Sequence, residues 1–116
     1  MSITADLIRG HTDTIILAQL IGQDSYGYSI NNRIREVTGN KYELKEATLY
    51  TAFKRLEEAG CITSYWGDTD TGARRRYYSI TENGKSTYLR LINDWKSASE
   101  IISKLILPSG NISEAI

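Results

Sequence analysis

The last third of this 116-residue chain carries the pattern that most restricts its fold. Apolar residues fall at Tyr88, Leu91, Trp95, Ala98, Ile102 and Leu105, in steps of 3, 4, 3, 4 and 3. That spacing marks one face of an α-helix, and over about 2.5 heptads it makes the seam of a coiled-coil-like contact. Leu89, Ile92 and Ile101 widen the stripe. Thr81 and Glu82 supply a polar start, and Pro108, the sole proline, forbids continuation. A helix of about 26 residues reaches roughly 39 Å. It projects beyond what the preceding, roughly 80-residue part can cover, so its seam needs another surface. The first helix can cover part of it, and a second copy of the chain can cover the rest. Packing of the seam back onto its own domain is the competing arrangement.

Size sharpens this need. A domain this small has a thin core, and such chains add disulfides, metals or a partner subunit. Cys61 is the single cysteine and His11 the single histidine. An internal disulfide is therefore excluded and a structural zinc site lacks ligands. No metal and no cofactor is expected, and association is the remaining device. The 14 basic and 14 acidic residues give a formal net charge of zero. This excludes a polycation, so any binding of nucleic acid must come from locally sorted charge. The first residues show no basic stretch followed by an apolar one, and no apolar run approaches a membrane span. No membrane partner and a reducing cytoplasm are expected.

The rest of the chain reads as short elements. Residues 5–21 are expected to form a first helix with apolar positions Leu7, Ile8, Ile15, Ala18 and Ile21, stopped near Gly22. Residues 28–38 form a second helix on Ile30, Ile34 and Val37, ended by Gly39. Residues 46–59 form a third on Leu49, Phe53 and Leu56, ended by Gly60. Strands from Cys61 to Gly67 and from Arg74 to Ile80 flank the turn cluster from Asp68 to Gly72, making a hairpin. The fold class is mainly α with a small β-hairpin (α+β): a winged helix-turn-helix with one long C-terminal dimerisation helix. Residues 1–80 are expected as the winged domain, 81–108 as the dimerisation helix and 109–116 as a flexible tail.

The third helix and the hairpin point to DNA. With Leu49, Phe53 and Leu56 inward, the outer face carries Ala47, Thr48, Thr51, Lys54, Arg55 and Glu58. Thr and Ala meet thymine methyls, while Lys and Arg reach guanine acceptors or phosphate. Tyr50 sits at the shoulder, where its phenol can donate to a phosphate oxygen. Arg74 and Arg76 point to one face of their strand and Arg75 to the other, and a basic wing suits phosphate or a minor groove. Residues 41–76 hold basic Lys41, Lys45, Lys54, Arg55, Arg74, Arg75 and Arg76 against acidic Glu43, Glu46, Glu57, Glu58, Asp68 and Asp70. The positive field must therefore come from how side chains face, and two copies reading a pseudo-palindromic operator at about 34 Å spacing follow. A plain solvated helix face and a charged edge strand are the bland alternatives. Neither His11 nor Cys61 has a base, nucleophile or oxyanion partner in sequence, so no catalytic residue is assigned.

Longer motifs add a family resemblance. Tyr26-Gly27-Tyr28 ahead of a helix, the run from Glu46 to Glu57, Gly60-Cys61-Ile62, and the run from Gly72 to Thr81 with Gly84 together resemble the PadR family of transcriptional regulators. The match covers nearly the whole chain. The single C-terminal helix is similar to the short subfamily, and in particular to LmrR-type multidrug-responsive repressors. This resemblance implies a homodimeric repressor acting on double-stranded DNA at its own or a transporter promoter. It adds Tyr28 to the DNA-contacting residues, beside Lys45 and Lys41 of the basic patch. It also implies planar aromatic molecules held at the dimer centre between paired tryptophans, here Trp95. The lining would come from Leu7, Gly10, Thr14, Leu17 and Ala18 with Tyr88, Leu91, Ile92 and Ser99. Dimer contacts would come from Ile8, His11, Leu91, Trp95, Ala98, Ile102 and Leu105. A Trp95 that only anchors the seam, a closed core without ligand, and a protein-interaction module remain as competing readings. Two positions depart from the family pattern. Lys45 stands where Ser or Asn caps the third helix, and lysine cannot accept its N–H groups. Ser99 stands where drug-binding relatives can carry an acid, which leaves a bound cation one charge partner short.

Overall fold

A computed structural model of the chain describes residues 5–68 and 72–108. The expected tail 109–116 and the central turn residues 69–71 lie outside the described residues. The elements are α1 (Ala5–Ile8), a 3-10 turn (Arg9–His11), α2 (Thr12–Leu20), α3 (Gly27–Val37), α4 (Glu46–Glu58), β1 (Ile62–Asp68), β2 (Arg74–Ile80) and α5 (Glu82–Ile106). The expected mostly helical fold with one antiparallel hairpin is the fold observed.

The core gathers where α2, α3, α4 and the hairpin converge. Ile16, Leu17, Leu20, Ile30, Ile34, Leu49, Ala52, Phe53, Leu56, Ile62 and Tyr78 are buried there. The Phe53 ring stacks on Tyr78 at 3.9 Å, joining α4 to the wing. Leu49, Phe53 and Leu56 form the inner stripe of α4 as their spacing requires. Both α3 and α4 end in glycines at positive φ, Gly39 at 61° and Gly60 at 76°. At each end the next residue's N–H reaches back to the last turn: Asn40 to the Arg35 carbonyl at 2.8 Å and Cys61 to the Leu56 carbonyl at 2.9 Å. These are paired C-terminal caps of the kind that favours glycine.

Three sequence expectations need correction. The first helix is not continuous over 5–21, because a 3-10 turn containing Gly10 separates α1 from α2, and glycine is a poor helix former. Its buried face is Ile16, Leu17 and Leu20, not the stripe from Leu7 to Ile21; Leu7 is 72% exposed. The segment is apolar on more than one side, so periodicity alone cannot select the side that tertiary packing buries. Val37, placed on the inner stripe of α3, is 73% exposed because the helix runs past the edge of the core. Leu44, in the α3–α4 connection, is buried instead. The Asn31 side-chain amide holds it, donating to the Leu44 carbonyl at 2.8 Å and accepting its N–H at 2.9 Å.

In the hairpin, Ile62 pairs with Ile80 and Asp68 with Arg74. Ser25 adds a short bridge to the outer edge of β2, exchanging backbone bonds with Tyr78 at 2.7 and 3.1 Å. Thr81 caps α5 as expected, its hydroxyl accepting the Gly84 N–H at 3.0 Å. Tyr88 and Leu91 pack at the margin of the core. Trp95 still meets His11 of the domain, and farther along Ile102 and Leu105 of α5 stand clear of it.

Candidate nucleic-acid interface

The outer face of α4 presents Ala47, Thr48, Tyr50, Thr51, Lys54 and Arg55, all exposed. An open groove of about 810 Å³ runs along the N-terminal ends of α3 and α4, with Tyr28, Lys45, Thr48 and Tyr50 on its walls. Both helix starts face this groove, and helix N-termini favour anionic groups such as phosphate. The Tyr50 hydroxyl lies over the first turn of α3, where a Cβ on Gly27 would fall 2.7 Å from it. Lys45 occupies the cap position of α4 in extended conformation, and its side chain makes no capping bond. The ammonium group is thus not tied to the helix end that it precedes.

Arg55 differs from expectation. Its guanidinium is engaged side-on by Asp13 of α2: Nε donates to Oδ2 at 3.3 Å, and Nη2 donates to Oδ1. Hydrogen bonding to the Asp13 carboxylate holds the guanidinium above its ordinary pKa. Two of its five N–H donors are therefore occupied, and Arg55 enters the face as an ion pair rather than as a free cation. The pair lies in a second groove of about 430 Å³, shared with Arg9, Thr12, Ala47, Thr48 and Thr51.

The wing sorts its arginines as the strand pleat requires. Arg74 and Arg76 flank the Trp66 ring, 5.3 and 5.6 Å from its centroid. Arg76 also donates to Ser64 Oγ at 2.7 Å and lies 3.7 Å from Glu57, so it fastens the wing to α4. Arg75, on the opposite face, lies 4.1 Å over the Tyr26 ring and is half-buried. It is a stacked side chain rather than an extended one, again unlike the expectation of a free phosphate contact. Trp66, 53% exposed between two arginines, was not singled out in the sequence; its register opposite Arg76 is the signal that identifies it.

The residues expected around a dimer centre divide. Leu17 is wholly buried in the domain core, so it has no surface to offer a ligand and is removed from that set. Leu7, Gly10 and Ala18 are exposed, while Thr14, Tyr88, Leu91, Ile92 and Ser99 are half-buried. Trp95 is 51% exposed, and the His11 ring meets it edge-on at 5.1 Å. Ile8 and His11 are half-buried and Ala98 is exposed, and Ile102 and Leu105 stand in solvent farther along α5. Among the described residues, no group of three His, Cys, Asp or Glu side chains is placed to hold a metal ion, and no helix is long and apolar enough to cross a membrane.

A helix-turn-helix whose second helix shows a polar face, flanked by an arginine-bearing hairpin, defines a winged-helix protein of the DNA-binding class. The profile of the PadR-like family of transcriptional regulators matches residues 16–90, and the chain belongs to that family. A protein of Lysinibacillus sphaericus described only as uncharacterized is 44% identical over 100 residues, spanning 86% of this chain and 92% of that protein. A transcriptional regulator from Clostridium thermocellum is 47% identical, with a TM-score of 0.82 over 90% of this chain and 98% of the other. A PadR family regulator from Clostridium difficile is 33% identical, with a TM-score of 0.73 over 84% and 99% of the two chains. Membership makes the chain a DNA-binding transcriptional regulator and not an enzyme.

Proposed function

We propose that the chain acts as a homodimeric repressor that reads a pseudo-palindromic operator and responds to planar aromatic molecules at its dimer centre. One observation carries this reading: the apolar face of α5 stands in solvent, with Trp95 51% and Leu105 78% exposed. A face of that size on a monomer marks an interaction surface, and a two-fold partner covers it with its own copy. Residues 1–80 then serve as the winged DNA-binding domain and 81–108 as the dimerisation helix. Two α4 helices at about 34 Å spacing would contact successive major grooves. Tyr28, Lys45, Thr48, Tyr50, Thr51, Lys54 and Arg74 would supply contacts, with Arg55 and Arg75 acting in their paired states. The regulated gene is its own or that of a transporter, in the cytoplasm.

A flat ring between two Trp95 indoles would gain stacking and buried area. A closed core without ligand is the second reading. It is favoured by the His11 ring already set against Trp95 and by the withdrawal of Leu17 from the lining. A gel shift with DNA upstream of the chain's own reading frame, run on protein sized by light scattering, tests the first part. A monomer, or a dimer without a shift at low salt, overturns it. Quenching of tryptophan by planar dyes in wild type and Trp95→Ala decides between the two cores: equal quenching removes Trp95 from any ligand site.

A further inference from the structure

The outer face of the hairpin carries a chain of contacts that a wing held only by its inner face does not need. Tyr65 and Tyr77 form a cross-strand pair with stacked rings at 5.5 Å. Tyr26, at the position just before α3, meets Tyr77 edge-on at 5.4 Å. Arg75 closes over Tyr26 at 4.1 Å. The Tyr65 hydroxyl donates to Asp24 Oδ2 at 2.6 Å. Gly67 gives Tyr77 its place, since a Cβ there would fall 2.6 Å from the ring.

Together with the Ser25–Tyr78 main-chain bonds, these contacts join the outer face of the wing, from its central Tyr65–Tyr77 pair to Arg75 near the tip, to residues 24–26, the segment that leads into α3. The inner ties, Phe53 with Tyr78 and Arg76 with Glu57, brace the opposite face of the hairpin against α4, so the tilt of the wing is set between the two faces. The wing is a lever. From Tyr78 to Arg74 the strand runs roughly 13 Å, so a tilt of about 10° displaces Arg74 by about 2 Å. That is enough to break a phosphate contact, whose hydrogen bonds tolerate only a few tenths of an ångström. Tyr65 and Asp24 are both exposed, and exposed polar pairs add little to folding stability. The bond to Asp24 also raises the pKa of the Tyr65 phenol, as it must for a donor whose proton the bond holds.

We propose that Asp24 and Tyr65 are positioning residues for DNA binding: their hydrogen bond sets the tilt of the wing against α3 and thereby places Arg74 on the phosphate backbone. The proposal rests on the DNA-binding role of the family and on the wing as part of the interface. Neither residue need touch DNA.

The test uses the full chain and a labelled duplex from DNA upstream of its reading frame, titrated by anisotropy over a range of salt. Tyr65→Phe keeps the ring stack and removes only the hydroxyl; Asp24→Ala removes the acceptor, and Asp24→Asn keeps one. Tyr65→Phe and Asp24→Ala are expected to weaken binding roughly fivefold and to lower the salt slope by about one, as Arg74→Ala does. Their melting temperatures should stay at the wild-type value. Asp24→Asn should restore most of the affinity lost in Asp24→Ala. Tyr65→Phe combined with Arg74→Ala should bind no more weakly than Arg74→Ala alone, because the first change acts through the second residue. Additive losses, an unchanged salt slope, or wild-type affinity in both Tyr65→Phe and Asp24→Ala overturn the proposal. Wild-type protein that leaves the duplex unbound even at low salt overturns the DNA-binding reading itself, and the proposal with it.

Discussion

Gly84 is the position where a one-carbon change should do most harm. It lies in the first turn of α5, is buried, and sits against the start of the hairpin. A Cβ there would fall 2.0 Å from the Cys61 carbonyl oxygen and 2.7 Å from Ile80 Cγ1. Ordinary contact begins at about 3.4 Å, so the carbonyl would have to retreat by about 1.4 Å. That carbonyl accepts the Thr81 N–H at 3.0 Å, the bond that joins the hairpin to the α5 cap. Losing it costs about 1 kcal/mol, and forcing the carbon into a filled space costs about 1–3 kcal/mol. Against this, alanine offers a helix advantage of about 1 kcal/mol. The clash wins, with a net loss of about 2 kcal/mol for Gly84→Ala and a fall in Tm of roughly 8 °C. Thermal unfolding followed by circular dichroism measures it. Gly10→Ala, where nothing lies within 4 Å of the added carbon, is the control and should melt at or near the wild-type temperature. A Gly84→Ala protein as stable as wild type would refute the reasoning, because helix propensity would then have outweighed the steric cost.

Other outcomes follow from the same geometry. Lys45→Ser should gain about 1 kcal/mol from a proper cap on α4 yet bind DNA more weakly with a flatter salt slope, a split that chemical denaturation and anisotropy read separately. Asp13→Ala should change stability by less than about 1 kcal/mol, since the pair is half-exposed. It should also tighten binding to any duplex at low salt, by removing a carboxylate and releasing Arg55; weaker binding would show that Arg55 works only while held. Burial raises the phenol pKa values of Tyr42 and Tyr78 above the ordinary 10.0. The unfolded chain then loses these protons first, so their contribution is intact at neutral pH and fades as pH climbs past 10.0. Urea midpoints between about pH 9 and pH 11 should decline, and a level midpoint across that range would contradict the sign.

The parts of this fold that were legible in the sequence are those where one side chooses itself. The α4 helix has apolar residues on a single face, so Leu49, Phe53 and Leu56 announce both the core and the opposite reading surface. The arginine run of β2 needs only the strand pleat to be sorted into Arg74 and Arg76 on one side and Arg75 on the other. The stretch from Leu7 to Leu20 gives no such choice, being apolar on more than one side, and packing alone selects Ile16, Leu17 and Leu20 as its buried face. Leu44 stands alone among polar neighbours and has no period; its burial depends on Asn31, at the far side of a turn. Ion pairs and hydrogen bonds between distant segments leave no pattern at all. Asp13 with Arg55 and Asp24 with Tyr65 are accidents of proximity until the chain is folded, and both alter the account of the interface, the first by occupying a cation and the second by tying down the wing.

The lone thiol carries a last consequence. Cys61 is buried at the junction of hairpin and α5, with its sulfur 3.7 Å from the Thr87 hydroxyl. A thiol-specific reagent therefore cannot reach it until that junction parts. Labelling of Cys61 becomes a clock for openings of the core at this joint, where the long helix meets the domain that it serves. Timed with and without DNA, it would tell whether an occupied wing holds that joint shut.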